Sequence, residues 1–199
     1  MTFDLFSLPP GDRYRILASL VTPRPIAWVT TSDGKGHYNT APFSFFNVFG
    51  SNPPIVALAP GNKDRHTPKD TARNIRSNRE FVVHMVDEPL SDIMVATSAT
   101  LPHGTDELEW HDLNLVPCEK ISVPRIAEAP VALECLEHST IEIGTNRLII
   151  GIVHFAHVRD GLMSQEGYLE QGAYHPIARM ASPDWYARTN DQFEIPRPD

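Results

Sequence analysis

Apolar and polar positions along this chain fall mostly into short blocks with the period of strands. Arg24-Pro25-Ile26-Ala27-Trp28-Val29-Thr30-Thr31 places β-branched and aromatic residues after a proline that can begin a strand but not sit within one. Ser32-Asp33-Gly34-Lys35-Gly36 supplies a turn, and Asn39 onward returns as the second arm of a hairpin. Past Pro42 the pattern changes: Phe43, Phe45 and Phe46 stand among Ser44 and Asn47, and the chain runs out through Gly50-Ser51-Asn52-Pro53-Pro54. Strand alternation over this stretch places Ser44 and Phe46 together, facing a ligand, and Phe43 and Phe45 in the core. Ile55 to Ala59 is a continuous apolar run of central-strand length, and Glu80 to Val86 is another strand. Val131 to Gly144 alternates, and Leu148 to Val158 is the longest strand candidate.

Helical periodicity is confined to three places. Tyr14 to Leu20 is one short helix, and Pro89 to Ala99 a second, with Leu90, Ile93, Met94 and Thr97 on one face. Thr67-Pro68-Lys69-Asp70 reads as the start of the third, with Thr67 as N-cap and Pro68 at the first position, ending near Ser77-Asn78. Between Leu101 and Pro130 periodicity is weak, which predicts a long excursion held down by Trp110, Leu113, Leu115 and Val116. Many short strands with few helices predict a mainly β fold, a barrel with peripheral α-helices rather than a doubly wound sheet. One domain over residues 1–199 is expected, with its core at about 21–180 and a tail from 184.

Composition narrows the partners. The 199 residues carry a net charge of −8, which argues against bulk nucleic-acid binding. No apolar run approaches membrane-spanning length, the start lacks the form of a signal peptide, and Cys118 and Cys135 form no CxxC pair. A soluble protein in the reduced cytoplasm, bound to neither nucleic acid nor membrane, is the expectation. Within this acidic chain, residues 61–79 hold Lys63, Arg65, Lys69, Arg73, Arg76 and Arg79 against Asp64 and Asp70 alone. Lys69, Arg73 and Arg76 share one helix face. A lysine in the first turn opposes the helix dipole, and a bound phosphate would reverse the sign, met by backbone N–H groups, a Thr67 or Thr71 hydroxyl and Lys69. Such a pattern can also be a solvated face. Metal ligation is not expected from local spacing: there is no HExxH, and His154 and His157 are three apart on a strand. Neither GxSxG, GxGxxG nor a Walker loop occurs, and Asp106, Glu107 and Glu109 read as loop-solvating acids, so no catalytic side chain is assigned.

The ordered motifs Arg24-Pro25-Ile26-Ala27-Trp28-Val29, Asn39-x-Ala41-Pro42-Phe43-Ser44-Phe45-Phe46-Asn47, Pro53-Pro54-Ile55-Val56, Lys69-Asp70-Thr71-Ala72-Arg73-Asn74-Ile75 and Glu80-Phe81-Val82-Val83 resemble the flavin reductase-like family. The likeness runs on through Pro130 to Cys135 and Gly151 to His154, and so spans about Pro23 to Arg179. It departs at Phe49-Gly50, where a small serine-rich pair is more usual. The resemblance implies a six-stranded Greek-key FMN-binding split β-barrel, a homodimer, and NADH or NADPH as electron donor. It implies that Arg24, Pro25, Ile26, Ala27, Asn39, Ala41, Pro42, Ser44, Phe45, Phe46 and Asn47 surround the flavin. Lys69, Asp70 and Thr71 match the helix start of the family, and His154, Arg179 and Tyr186 are further candidates. The activity implied is flavin reduction, with electrons passing to oxygen, free flavin, a metal complex or a partner such as a monooxygenase component. The alternatives are an FMN-bound electron carrier reduced by another protein, and a barrel module holding haem or another cofactor.

Overall fold

Strand β1 (Ala27–Ser32) is buried along its whole length, which sets the layering of the molecule. Its alternate residues enter two different cores: Ala27 and Val29 join one apolar cluster, Trp28 another. The first cluster fills the inside of the sheet, and the second lies under helix α3 (Ser91–Ala96), where Trp28 Nε1 donates to Thr97 Oγ1 at 2.9 Å. The strand is apolar over Ala27 to Val29, and its buried hydroxyls beyond are paired: Thr30 Oγ1 lies 3.0 Å from Thr40 Oγ1, and Thr31 Oγ1 accepts from Asn74 Nδ2 at 3.1 Å. These relations come from a computed structural model that describes residues 1–99, 112–170 and 172–198. The expected roles of Trp110, Asp106, Glu107 and Glu109 fall outside the described residues.

The other elements are α1 (Pro10–Leu20), β2 (Tyr38–Phe43), β3 (Phe46–Ser51), β4 (Pro54–Leu58), α2 (Asp70–Asn78), β5 (Glu80–Met85), β6 (Leu115–Val116), β7 (Arg125–Ile126), β8 (Val131–Ile143), β9 (Asn146–Val158), β10 (Ala178–Arg179) and β11 (Tyr186–Ala187). Seven strands form one sheet in the order β2-β1-β5-β8-β9-β4-β3, every pairing antiparallel. Its two edges, β2 and β3, are joined by Ser44 and Phe45 alone. A link that short spans only about 10 Å, so the sheet must curl until its edges meet. The result is a barrel split at Ser44-Phe45. The sheet has seven strands rather than the expected six because the second arm of the hairpin breaks there into two. Helix α2 closes the inside with Ala72 and Ile75, and Asn74 and Asn78 bond Thr31 Oγ1 and the Ser32 carbonyl at 3.1 and 2.9 Å.

Two irregularities in the long β8–β9 hairpin matter below. The register shifts between Glu134 and Cys135 and again between Glu137 and Ser139. On β9 the first shift leaves His154 as the extra residue between Val153 and Phe155.

His84 on β5 is fully buried between two backbone partners. Its Nδ1 donates to the Trp28 carbonyl at 3.0 Å, and its Nε2 accepts the Ile126 N–H at 2.9 Å. That second bond requires the neutral ring. Burial pushes its pKa down to about 4, against a small opposing effect of the Trp28 carbonyl. Between pH 6.5 and 4 the unfolded chain therefore binds a proton that the folded chain refuses. Stability is lost as pH falls through that window, by up to ~3 kcal/mol from this group. Denaturant titrations at pH 7 and pH 4.5 should show the loss, and His84→Gln should flatten it; an equal slope in the variant would place the effect elsewhere.

Candidate functional site

The seam of the barrel opens into a cleft of about 450 Å³. Its walls include Ile26, Pro42, Phe43, Ser44 and Phe45 from the strand ends, Met94, Val95 and Ser98 from α3 and the turn after it, and Gly61, Asn62 and Lys69 from the loop before α2. Tyr14 of α1, Asn146, Arg179, Asp184 and Tyr186 complete it. Apolar Ile26, Phe43 and Phe45 thus share the lining with polar Asn62, Lys69 and Arg179, a mixture that can hold a small molecule by its faces and orient it by its edges.

The geometry of Ser44-Phe45 reverses one expectation. Phe46, expected on the ligand side, is buried in the inner core, whereas Phe45, expected in the core, is 41% exposed and lines the cleft beside Ser44. Alternation fails because the strand ends at Phe43 and a new one begins at Phe46, so the phase restarts across the bend. The Ala59 N–H holds the Phe45 carbonyl at 2.8 Å, and the Phe45 ring meets Tyr14 with centroids 6.0 Å apart.

Arg24 stands behind this wall rather than in the cleft. Its guanidinium is buried and donates to the carbonyls of Ala18, Val21 and Met180 at 2.5, 2.8 and 3.0 Å, and to Ser44 Oγ at 3.3 Å. Burial lowers its pKa, with the Arg179 charge adding to that and Tyr14 opposing. It ties the end of α1, the C-terminal segment and the seam into one support. Arg179 is bonded to Arg24 through both backbone groups, and its guanidinium stacks 4.8 Å from the Tyr186 ring while donating to the Trp185 and Pro183 carbonyls.

Lys69 occupies the position before the first residue of α2, two residues later than the expected N-cap Thr67. The displacement has a local cause. Asn62 and Pro68 bridge across the loop, Lys63 N–H bonds the Thr67 carbonyl at 2.8 Å, and Asp64 caps His66 and Thr67, so 67–69 stay extended. Lys69 Nζ lies 5.4 Å from the centre of the Phe43 ring. Its chain is open to solvent on the cleft side, yet enough protein surrounds the ammonium that burial, and then repulsion from Lys63, lowers its pKa. Among the described residues it makes no ion pair. Asp70 beside it is taken by Lys63 at 2.6 Å and by Arg73 at 3.4 Å. Asn62 Oδ1, also at the cleft, is buried with no hydrogen-bond partner among the described residues.

The expected residues therefore divide. Ile26, Pro42, Ser44, Phe45, Lys69, Arg179 and Tyr186 converge on the cleft. Thr71 is buried and accepts from Asn39 Nδ2 at 3.0 Å, fastening β2 to α2 behind it; Ala27 and Ala41 pack in the inner core, and Pro25 and Asp70 lie outside the lining. Asn47 is exposed on β3, where its Oδ1 accepts the Val48 N–H, and His154 is exposed at the β9 bulge; neither lines the cleft. Arg73 and Arg76 turn to a separate cleft with Arg147, so the basic helix face does not act as one patch. Asn62, Asn146 and Tyr14 were not foreseen; the turn-forming Gly61-Asn62 was the one local sign of a special loop.

Residues 19–178 match the family model described as the flavin reductase like domain. An uncharacterised protein of Deinococcus radiodurans is 41% identical over 98% of this chain and 88% of its own length. The crystal structure of nitrilotriacetate monooxygenase component B from Bacillus cereus superposes with a TM-score of 0.93, at 33% identity, over 98% of both chains. That of the 2-nitrobenzoate 2-nitroreductase NbaA from Pseudomonas fluorescens gives 0.90 at 32% identity, over 100% of this chain and 96% of its own.

Proposed function

This chain belongs to the flavin reductase-like family, and from that premise we propose that it is an FMN-binding oxidoreductase fed by NADH or NADPH. The observation that carries the reading is Lys69, a cation without an acid partner among the described residues, set over Phe43 at the mouth of a cleft of about 450 Å³. A cation left unneutralised beside the N-terminus of α2 suits a phosphate. The buried, unpartnered Asn62 Oδ1 suits an N–H donor at the edge of a planar ring. Ile26, Pro42 and Phe45 offer apolar surface to such a ring. The donor set therefore fits FMN.

Bound flavin would supply the redox chemistry, accepting two electrons from the nicotinamide and passing them on. The chain's own part is to hold and to exclude. Lys69 anchors the phosphate, Asn62 orients the ring edge, and Arg24 keeps Ser44-Phe45 rigid from behind. Arg179, stacked on Tyr186, closes the far side. No acid–base triad is required, in keeping with its absence from the sequence motifs. The acceptor is oxygen, free flavin, a metal complex or a protein; that the Bacillus cereus relative is a monooxygenase component favours a protein acceptor. Val48 and Phe49, 63% and 67% exposed on β3, favour pairing with a second copy; sedimentation at the mass of one chain would remove that part.

Purified protein mixed with FMN should turn yellow on desalting and should consume NADH or NADPH, seen as loss of the reduced nicotinamide absorbance. A colourless protein inert to both nucleotides would end this reading. A yellow protein inert to both but reduced by a separate reductase would make it an electron carrier instead.

A further inference from the structure

We propose that Cys118, Glu134 and His157 form a binding site for a thiophilic divalent cation, Zn²⁺ by its chemistry. The three residues come from separate stretches of sequence. Ala132 on β8 lies directly opposite His157 on β9, and Glu134 is two residues along β8 on the same face. Glu134 and His157 are thus diagonal neighbours across the pair, within reach of long side chains. This face is the outer one: Cys135, next along β8, enters the inner core, while Ala132 packs with Ile121, Val123 and Val82 under the segment that carries Cys118.

One ligand atom from each residue lies within 4.8 Å of the others. Ligands round a tetrahedral zinc stand about 3–4 Å apart, given bonds of about 2.0–2.3 Å. His157 Nε2, now 2.5 Å from Glu134 Oε1, would have to withdraw by only about 1 Å to admit the ion. Glu134 is fixed in advance. Its side chain is fully buried, and its two oxygens accept the backbone N–H groups of Glu119 and Lys120, each at 2.8 Å. A carboxylate has about four acceptor positions. Two are spent on orientation, as metal-site carboxylates are commonly held, and the others face His157 and the Cys118 thiol.

The charges close as well. Carboxylate, neutral imidazole and thiolate about a divalent cation sum to zero, where burial of the carboxylate alone leaves a negative charge. The thiolate is the ligand, so binding must expel the Cys118 thiol proton to solvent. Sulfur with imidazole nitrogen selects zinc over magnesium or calcium. His157 also lines a cleft of about 510 Å³, from which water can fill the fourth position. None of the three residues touches the seam cleft, so the proposal stands apart from the flavin reading.

The test uses the full chain, stripped with chelator, freed of flavin and desalted. One equivalent of Zn²⁺ per chain should bind and survive desalting. Co²⁺ in its place should give a thiolate-to-cobalt charge-transfer band in the difference spectrum. Cys118→Ser should abolish that band and lower Zn²⁺ affinity at least 10-fold, and Cys135→Ala should leave both unchanged. His157→Gln, at a partly buried position, should also lower affinity at least 10-fold while leaving a thiolate-to-cobalt band. Failure of the wild-type chain to retain Zn²⁺, or a cobalt band that persists in Cys118→Ser, would overturn the proposal.

Discussion

Lys69→Glu should weaken FMN binding at least 100-fold while changing riboflavin binding by less than about 3-fold. A hydrogen bond to a charged group contributes about 1.5–3 kcal/mol, or roughly 10- to 100-fold in affinity, and the glutamate adds repulsion to that loss. Riboflavin shares the ring and ribityl chain but lacks the phosphate, so it reports on everything except the charge. Among the described residues Lys69 is the one lysine that lines the cleft, and Lys63 nearby is committed to Asp70 at 2.6 Å. Fluorescence titration of both ligands against both proteins reads the difference directly. Equal weakening of the two would mean that Lys69 acts through the loop and not through the phosphate.

Gly151→Ala should destabilise the barrel by about 3 kcal/mol or more, and Gly151→Val should prevent folding. Gly151 lies on β9 between Val56 of β4 and Glu137 of β8, in the interior of the sheet. A Cβ there would stand 2.4 Å from Cζ and 3.0 Å from Cε1 of Phe81. The Phe81 ring is wholly buried in the inner core, so it has no open space to enter. Here a glycine within a strand marks the close approach of another side chain. Thermal melts should place the alanine variant about 6–12 °C below the parent, at 2–4 °C per kcal/mol for a chain of this size. Phe81→Leu in the same background should recover part of the loss by making room; no recovery would put the strain in the backbone instead.

The strands were legible because each is either alternating or continuously apolar. Thus β1, β4, β5, β8 and β9 lie within a few residues of where periodicity put them, and the hairpin of β1 with β2 is as its turn predicts. The site was legible in part. Lys69 and Ser44 reach the cleft as motif and charge suggested, since both follow from short-range features. Phe45 and Phe46 were exchanged because period-two reasoning holds only while a strand continues, and nothing local announces the bend between Phe43 and Phe46. That Arg24 stands behind the cleft wall was not legible for another reason: its four partners, from Ala18 to Met180, come from segments whose meeting depends on the whole fold. Thr67 satisfied every rule for an N-cap and lost to the Asn62–Pro68 bridge, which competes for the same backbone.

The two-residue seam also bears on how the molecule assembles. Its edge strands are neighbours in sequence, so joining them costs almost no loop entropy. The pairing that brings them into place is the opposite: Ile55 of β4 meets Ile152 of β9, about a hundred residues further on. Topologies built on such contacts fold slowly, because loop entropy is lost before the contact offsets it. The wall of Ser44 and Phe45 is thus held by pairings of long sequence separation, among them the backbone bonds of Arg24 with Arg179. A ligand that binds this assembled cleft and not the unfolded chain therefore acts as a latch on the whole barrel.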